Sequence, residues 1–334
     1  MLLKATRQTS RLPLCALSAQ TALIALAICF ATAKLADAQG TAPQASADSS
    51  APVATLRVDV RLVDVLTSVT DASGAPIGGL DAKDFAVFDN GIQQKIALFE
   101  RQSNVPLNLV LALDTSGSVR KDMDAERSAA RDFIRSILRP QDSVSVIEFA
   151  TNVHQLVPFT NQIRTIQHGL NSLHSGAATA LYEAIQKSSR SLEQREGRKV
   201  LVLVSDGGNT VDTVTYRQAL EAALRADVMI YSLIDVPIEA SAGRDIGGEH
   251  ALITLSGQTG GRYFYIDATG AKASFQKIAD DLRTQYLIGY YPDFQRDADV
   301  FHRIQVTIPR ASGEGYQLRY RAGYYADKSS QTAP

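Results

Sequence analysis

The chain has 334 residues, with 34 Lys and Arg against 35 Asp and Glu, and 45% of it is hydrophobic. That near-neutral balance offers no basic patch for nucleic acid and no acidic tail to collect cations, while the apolar share supports an ordinary globular core. The length suits two modules rather than one domain.

Lys4, Arg7 and Arg11 precede an uncharged segment, 12–33, and Ala36-Asp37-Ala38 then supplies an A-x-A cleavage signal. The pattern predicts a secretory signal peptide over 1–38, cut before Gln39, and hence a secreted, periplasmic or cell-envelope protein. The alternative is an uncleaved anchor, the only route by which the sequence would bring in a membrane. Both cysteines, Cys15 and Cys29, lie in this segment. The mature chain would therefore have no disulfide and no thiol nucleophile. Its charge would be 30 positive against 34 negative.

Residues 39–55 are rich in Ala, Ser, Pro and Gln and read as a flexible linker. From Leu56 apolar and polar residues alternate with period two, which predicts strand through 56–70. Phe85-Ala86-Val87-Phe88, then Asp89-Asn90-Gly91, then 94–99 reads as a β-hairpin with an Asn-Gly turn. The β-module 56–104 is short for a domain of its own. Residues 105–287 alternate strand and helix, which specifies a mostly parallel sheet covered on both faces. Strands are expected at 108–113, 143–149, 154–158, 199–205, 228–234 and 262–266. Helices are expected at 120–138, 161–173, 179–194, 215–226, 248–258 and 271–285. The tail returns to β texture at 286–292, 301–309 and 316–321, and Gly323-Tyr324-Tyr325 closes it. Neither flank has strands enough to bury two faces, so 56–104 and 288–326 are expected to pool into one β-sandwich around the inserted α/β unit. Residues 327–334 read as a disordered tail.

The chemistry concentrates at the carboxyl ends of the predicted strands. The apolar run 107–113 ends in Asp114-Thr115-Ser116-Gly117-Ser118. Thr179 ends a loop of small residues before another helix, and Asp206 ends the apolar strand 200–204, with Gly207-Gly208 behind it. Open α/β sheets hold ligands at this edge. Five oxygen-bearing side chains from three element ends (Asp114, Ser116, Ser118, Thr179 and Asp206) suit a hard cation. The blander reading is that Asp114 and Ser118 cap the next helix and Asp206 shapes a turn. As a carboxylate at a strand end, Asp114 is expected at the surface, so that its loss would cost little stability. The five histidines show no metal-pair spacing, and neither G-x-S-x-G nor G-x-x-x-x-G-K-[ST] occurs. His174, five residues before Thr179, is the one histidine placed to act as a base if the metal served hydrolysis, and an acidic residue is the other candidate base; for His174 a helix-end histidine is the alternative reading. Loop 235–248 leaves the same sheet edge and is long for its type.

The ordered Asp-x-Ser-x-Ser, Thr and Asp resemble the metal-ion-dependent adhesion site of von Willebrand factor type A domains, over about 105–287. The resemblance implies a Rossmann-like α/β domain whose Mg2+ (or Mn2+) is held by Asp114, Ser116, Ser118, Thr179 and Asp206. It implies a binding module without catalysis, whose protein or glycan partner completes the metal shell with a carboxylate. A metal-dependent hydrolase, or a scaffold whose metal is only structural, are the alternatives. The second cation site of integrin β-type A domains uses two adjacent acids where this chain has Lys121 and Asp122, so no second metal is expected. The export signal, the DFAVFDNG segment at 84–91 and the closing GYY further resemble the acidobacterial-type group of VWFA-related bacterial proteins, over about 56–326.

Overall fold

The computed structural model describes residues 62–101, 105–117, 123–235, 245–266, 270–292, 300–311 and 315–326. The predicted signal peptide, the linker, the tail and Ser118 lie outside these residues, as does most of loop 235–248. No helix among the described residues is long and apolar enough to cross a membrane.

The amino-terminal strands are β1 (Val63–Thr70), β2 (Ala86–Asp89), β3 (Ile92–Gln94) and β4 (Ile96–Arg101). β2 and β3 form the predicted hairpin, with Asn90 at φ 48° and Gly91 at φ 83°, both in the left-handed region that a tight two-residue turn requires. The returning arm is shorter than expected. It breaks at Lys95, and β4 joins a different sheet.

The α/β unit then runs β5 (Leu107–Asp114), α1 (Met123–Ile137), β6 (Ser143–Phe149), β7 (Val153–Thr160), α2 (Ile163–Asn171), α3 (Leu181–Glu193), β8 (Arg198–Ser205), α4 (Tyr216–Arg225), β9 (Val228–Asp235), α5 (Ile246–Gln258), β10 (Tyr263–Ile266) and α6 (Ala271–Arg283). Its six strands lie in the order β10-β9-β8-β5-β6-β7, all parallel except the β6–β7 pair. β5, β8 and β9 are buried at every residue, which explains why they read as continuous apolar runs. One face packs Leu111, Val202 and Tyr231 against Phe133, Ile166 and Phe275. The other packs Val110, Leu201 and Ile230 against Leu181, Ile185 and Leu252. Helices therefore cover both sides.

The chain returns through β11 (Tyr286–Tyr290), β12 (Phe301–Thr307), β13 (Gln317–Arg319) and β14 (Gly323–Tyr325). One four-stranded sheet has the order β13-β1-β11-β4 and the other β14-β12-β2-β3. Each sheet takes two strands from before the α/β unit and two from after it. Val65 and Ile288 of the first sheet share a buried core with Val87, Val306 and Tyr324 of the second, so the two sheets form a sandwich. β11 belongs to the sandwich from Tyr286 on, before the boundary expected at 288.

Inside the sandwich Asp89 is fully buried. Its carboxylate accepts the hydroxyls of Tyr290 (2.9 Å) and Tyr324 (2.8 Å) and lies 3.1 Å from His302 Nδ1. Polar contacts also lock the sandwich to the α/β unit. Arg319 donates to Asp281 of α6 at 2.6 Å, and Asp281 also accepts the buried Tyr231 hydroxyl at 2.7 Å. Arg321 pairs with Asp227 and reaches the Asp64 carbonyl at 2.6 Å.

Candidate functional site

β5 and β8 run side by side, with Leu113 opposite Val204, so the next residues, Asp114 and Ser205, emerge together at the carboxyl edge. Ser205 Oγ donates to Asp114 Oδ2 at 2.6 Å, and the Ser116 amide donates to Oδ1 at 2.9 Å. Asp114 is only 2% exposed, which corrects the expectation of a surface carboxylate. The reason lies in the crossing loop ahead of α3. That loop passes over the sheet end and donates the Gly176 amide to the Thr115 carbonyl at 2.9 Å.

The same loop carries Thr179, itself buried. The Thr179 amide donates to Thr210 Oγ1 at 2.8 Å, and its carbonyl accepts the amides of Thr210 (2.9 Å) and Val211 (3.1 Å). Residues 209–211 follow Asp206, so the three loops are bonded into one platform. Asp206 turns back on itself, its Oδ1 accepting the Gly208 amide at 3.0 Å. Gly207 has φ +90°, and a Cβ there would lie 2.6 Å from the Gly248 carbonyl carbon. Only glycine lets the start of α5 pack this closely on the Asp206 turn.

Burial pushes the Asp114 carboxyl up to about 6, the bonds from Ser205 and Ser116 hold it down in part, and the negative charge of Asp206 adds to the rise. Neither Asp114 nor Asp206 forms an ion pair among the described residues. Asp114 and Asp206 lie in each other's field and Ser116 and Thr179 sit in the adjoining loops; carboxylate and hydroxyl oxygens are the donor chemistry that suits a hard divalent cation. Among the described residues no group of three or more His, Cys, Asp or Glu side chains is arranged to hold a metal ion. The candidate site has only two carboxylates and relies on hydroxyls for the rest.

His174 is engaged elsewhere. Its Nδ1 lies 3.4 Å from Glu148 Oε1, and its amide donates to Glu148 Oε2 at 2.8 Å. Glu148 is in register with Leu113 and so faces the side of the sheet opposite Asp114. Three residues that bond to the loops around Asp114 and Thr179 carry no motif in the sequence: Ser205, Thr210 and Glu148. Ser205 is within reach of a register argument, because the residue before Asp206 faces the same side as Asp114. Thr210 and Glu148 act through loop contacts that leave no local signature.

The family model described as von Willebrand factor type A domain matches residues 109–209. A comparison with curated proteins finds no match. Among solved structures, the chain is similar to the conserved hypothetical protein BatB from Bacteroides thetaiotaomicron, at 21% identity over 53% of this chain and 100% of that one, with a TM-score of 0.43. It is similar to a von Willebrand factor type A protein from Catenulispora acidiphila, at 12% identity over 74% of each chain, with a TM-score of 0.47. It is also similar to the vWF domain of the type V pili tip protein Mfa5 from Porphyromonas gingivalis, at 12% identity over 53% of this chain and 95% of that one, with a TM-score of 0.44. The matched segment lies within the α/β unit, whose doubly covered sheet has the Rossmann-like fold of a von Willebrand factor type A domain.

Proposed function

We propose that the chain is an exported binding module whose A domain grips an acidic group on a protein or glycan partner through Mg2+ or Mn2+. Asp114, Ser116, Ser118, Thr179 and Asp206 would hold the ion. The observation that carries this reading is the pairing of two carboxylates, Asp114 and Asp206, that form no ion pair among the described residues, beside the loops that carry Ser116 and Thr179. When bound, a divalent ion there supplies an electrophilic centre that a partner carboxylate can complete. Asp114 and Asp206 balance its charge. Ser205 and the Ser116 amide hold the Asp114 carboxylate in one orientation, and the Thr210 contacts fix the Thr179 loop. A binding role is favoured over histidine-assisted hydrolysis because His174, the one histidine placed in sequence to act as a base, lies beside Glu148, which faces the side of the sheet opposite Asp114.

Export rests on the basic start, the apolar segment and Ala36-Asp37-Ala38, and membership of the acidobacterial-type group on the 84–91 segment and the closing GYY. A pull-down from envelope extract, run in Mg2+ and in EDTA, tests the function. Partners retained only in Mg2+ are expected, and partners retained equally in EDTA would deny the site its recognition role.

A further inference from the structure

Glu148 is a buried carboxylate near the carboxyl end of β6, 6% exposed, between the apolar residues Ile147 and Phe149. A carboxylate is withdrawn from water at substantial cost unless its oxygens are bonded. Here both oxygens are directed at a single residue, His174: the amide on Oε2 and the imidazole beside Oε1. His154, directly across in β7, is exposed, as is the His174 ring. Among the described residues, the hydrogen bond that the carboxylate accepts thus comes from the backbone of one loop.

That loop links α2 on one face of the sheet to α3 on the other and carries Thr179. Its amides are tied down in succession. His174 donates to Glu148, Gly176 to the Thr115 carbonyl, Ala178 to Thr151 Oγ1 at 3.3 Å, Thr179 to Thr210 Oγ1, and Ala180 to the Ala150 carbonyl at 2.7 Å. A Cβ on Gly176 would lie 2.3 Å from the Ala150 Cβ, so the loop rests directly on the end of β6. Glu148 is the one ionisable anchor in this series, and it grips the loop where it enters from α2. Bonds to a charged acceptor are roughly twice as strong as neutral ones.

We infer that Glu148 is a positioning residue for the metal site: through the His174 amide it fixes the entrance of the crossing loop and thereby the place of Thr179. The inference rests on the metal-site reading proposed above. It deepens that reading by adding a residue from the opposite face of the sheet.

The test uses the full chain and Mn2+ as probe. Glu148→Leu fills the same space without an acceptor and should weaken Mn2+ binding about tenfold, the lower end of the effect of removing a residue that orients a metal ligand. Glu148→Gln keeps one oxygen for the His174 amide and should restore most of the affinity. His174→Ala keeps the amide and should change little. In a Thr179→Ala background, Glu148→Leu should add no further loss, because both changes act on one position. Hydrogen exchange of the metal-free protein should quicken over 174–180 in Glu148→Leu and stay unchanged over 107–114 and 198–205. The inference is overturned if exchange over 174–180 does not change, or if the tenfold loss persists with Thr179→Ala. A wild type that binds no Mn2+ would sink the proposed function, and the exchange result would then decide the loop clamp by itself.

Discussion

Replacing Asp114 with Asn should stabilise the metal-free protein. Asp114 has its carboxyl raised from 3.8 to about 6 with the group almost wholly buried. A folded-state value above the unfolded one means that the folded protein holds the proton more tightly. Stability therefore falls as pH rises between about 4 and 6. At about 1.36 kcal/mol per pH unit, the charged Asp114 costs the metal-free fold about 3 kcal/mol at pH 7.5. The asparagine side chain would carry no charge, could keep an acceptor for the Ser116 amide, and would preserve side-chain volume. In EDTA at pH 7.5, Asp114→Asn should unfold roughly 5–10 °C above wild type, and the gap should close by pH 4. Mg2+ should raise wild-type stability by about 2.7 kcal/mol at a hundredfold excess over its dissociation constant, and the variant's by less than about 0.5 kcal/mol. Thermal melts of both proteins at two pH values, with Mg2+ and with EDTA, give all of these differences. Equal melting temperatures in EDTA at pH 7.5 would refute the uncompensated-charge argument.

Thr179→Ala should weaken Mn2+ binding less than Asp114→Asn does, yet reduce partner capture by more than its loss of metal affinity accounts for, which calorimetry and a pull-down on the same protein compare. Gly207→Ala should cost about 1–3 kcal/mol from its φ of +90° alone and more from the Gly248 contact, read by urea unfolding. Asp89→Asn weakens the acceptor on which Tyr290, Tyr324 and His302 converge and should lower sandwich stability by about 1.5–3 kcal/mol in the same assay. Arg319→Met leaves Asp281 buried without its cation and should cost a similar amount, about 3 kcal/mol. Because that pair joins the modules, its loss should also separate their unfolding transitions.

The α/β elements are legible in the sequence because their physics is local. Fully buried parallel strands such as Leu107–Asp114 read as unbroken apolar runs, and Thr215 with Gln218 marks the start of α4 by a capping box. The element ends that carry Asp114, Thr179 and Asp206 fall where strand-to-helix alternation puts them. What escapes a sequence reading depends on contacts distant in the chain. The second hairpin arm reads as one strand, yet it divides at Lys95 because Ile92–Gln94 and Ile96–Arg101 are claimed by different sheets. The pattern carries α6 to Gln285, but the helix stops at Arg283, where the Thr284 amide turns back to the Asp281 carbonyl and Gln285 is buried against Met229 and Tyr231. The burial of Asp114 comes from a loop some sixty residues away in the chain, and no feature around position 114 announces it.

Calorimetric titration of Mn2+ into wild type and Asp114→Asn bears most directly on the proposed metal site. A single saturable site in the wild type, weakened about 100-fold or more in the variant, is the predicted result. Equal affinity in the two proteins would contradict it.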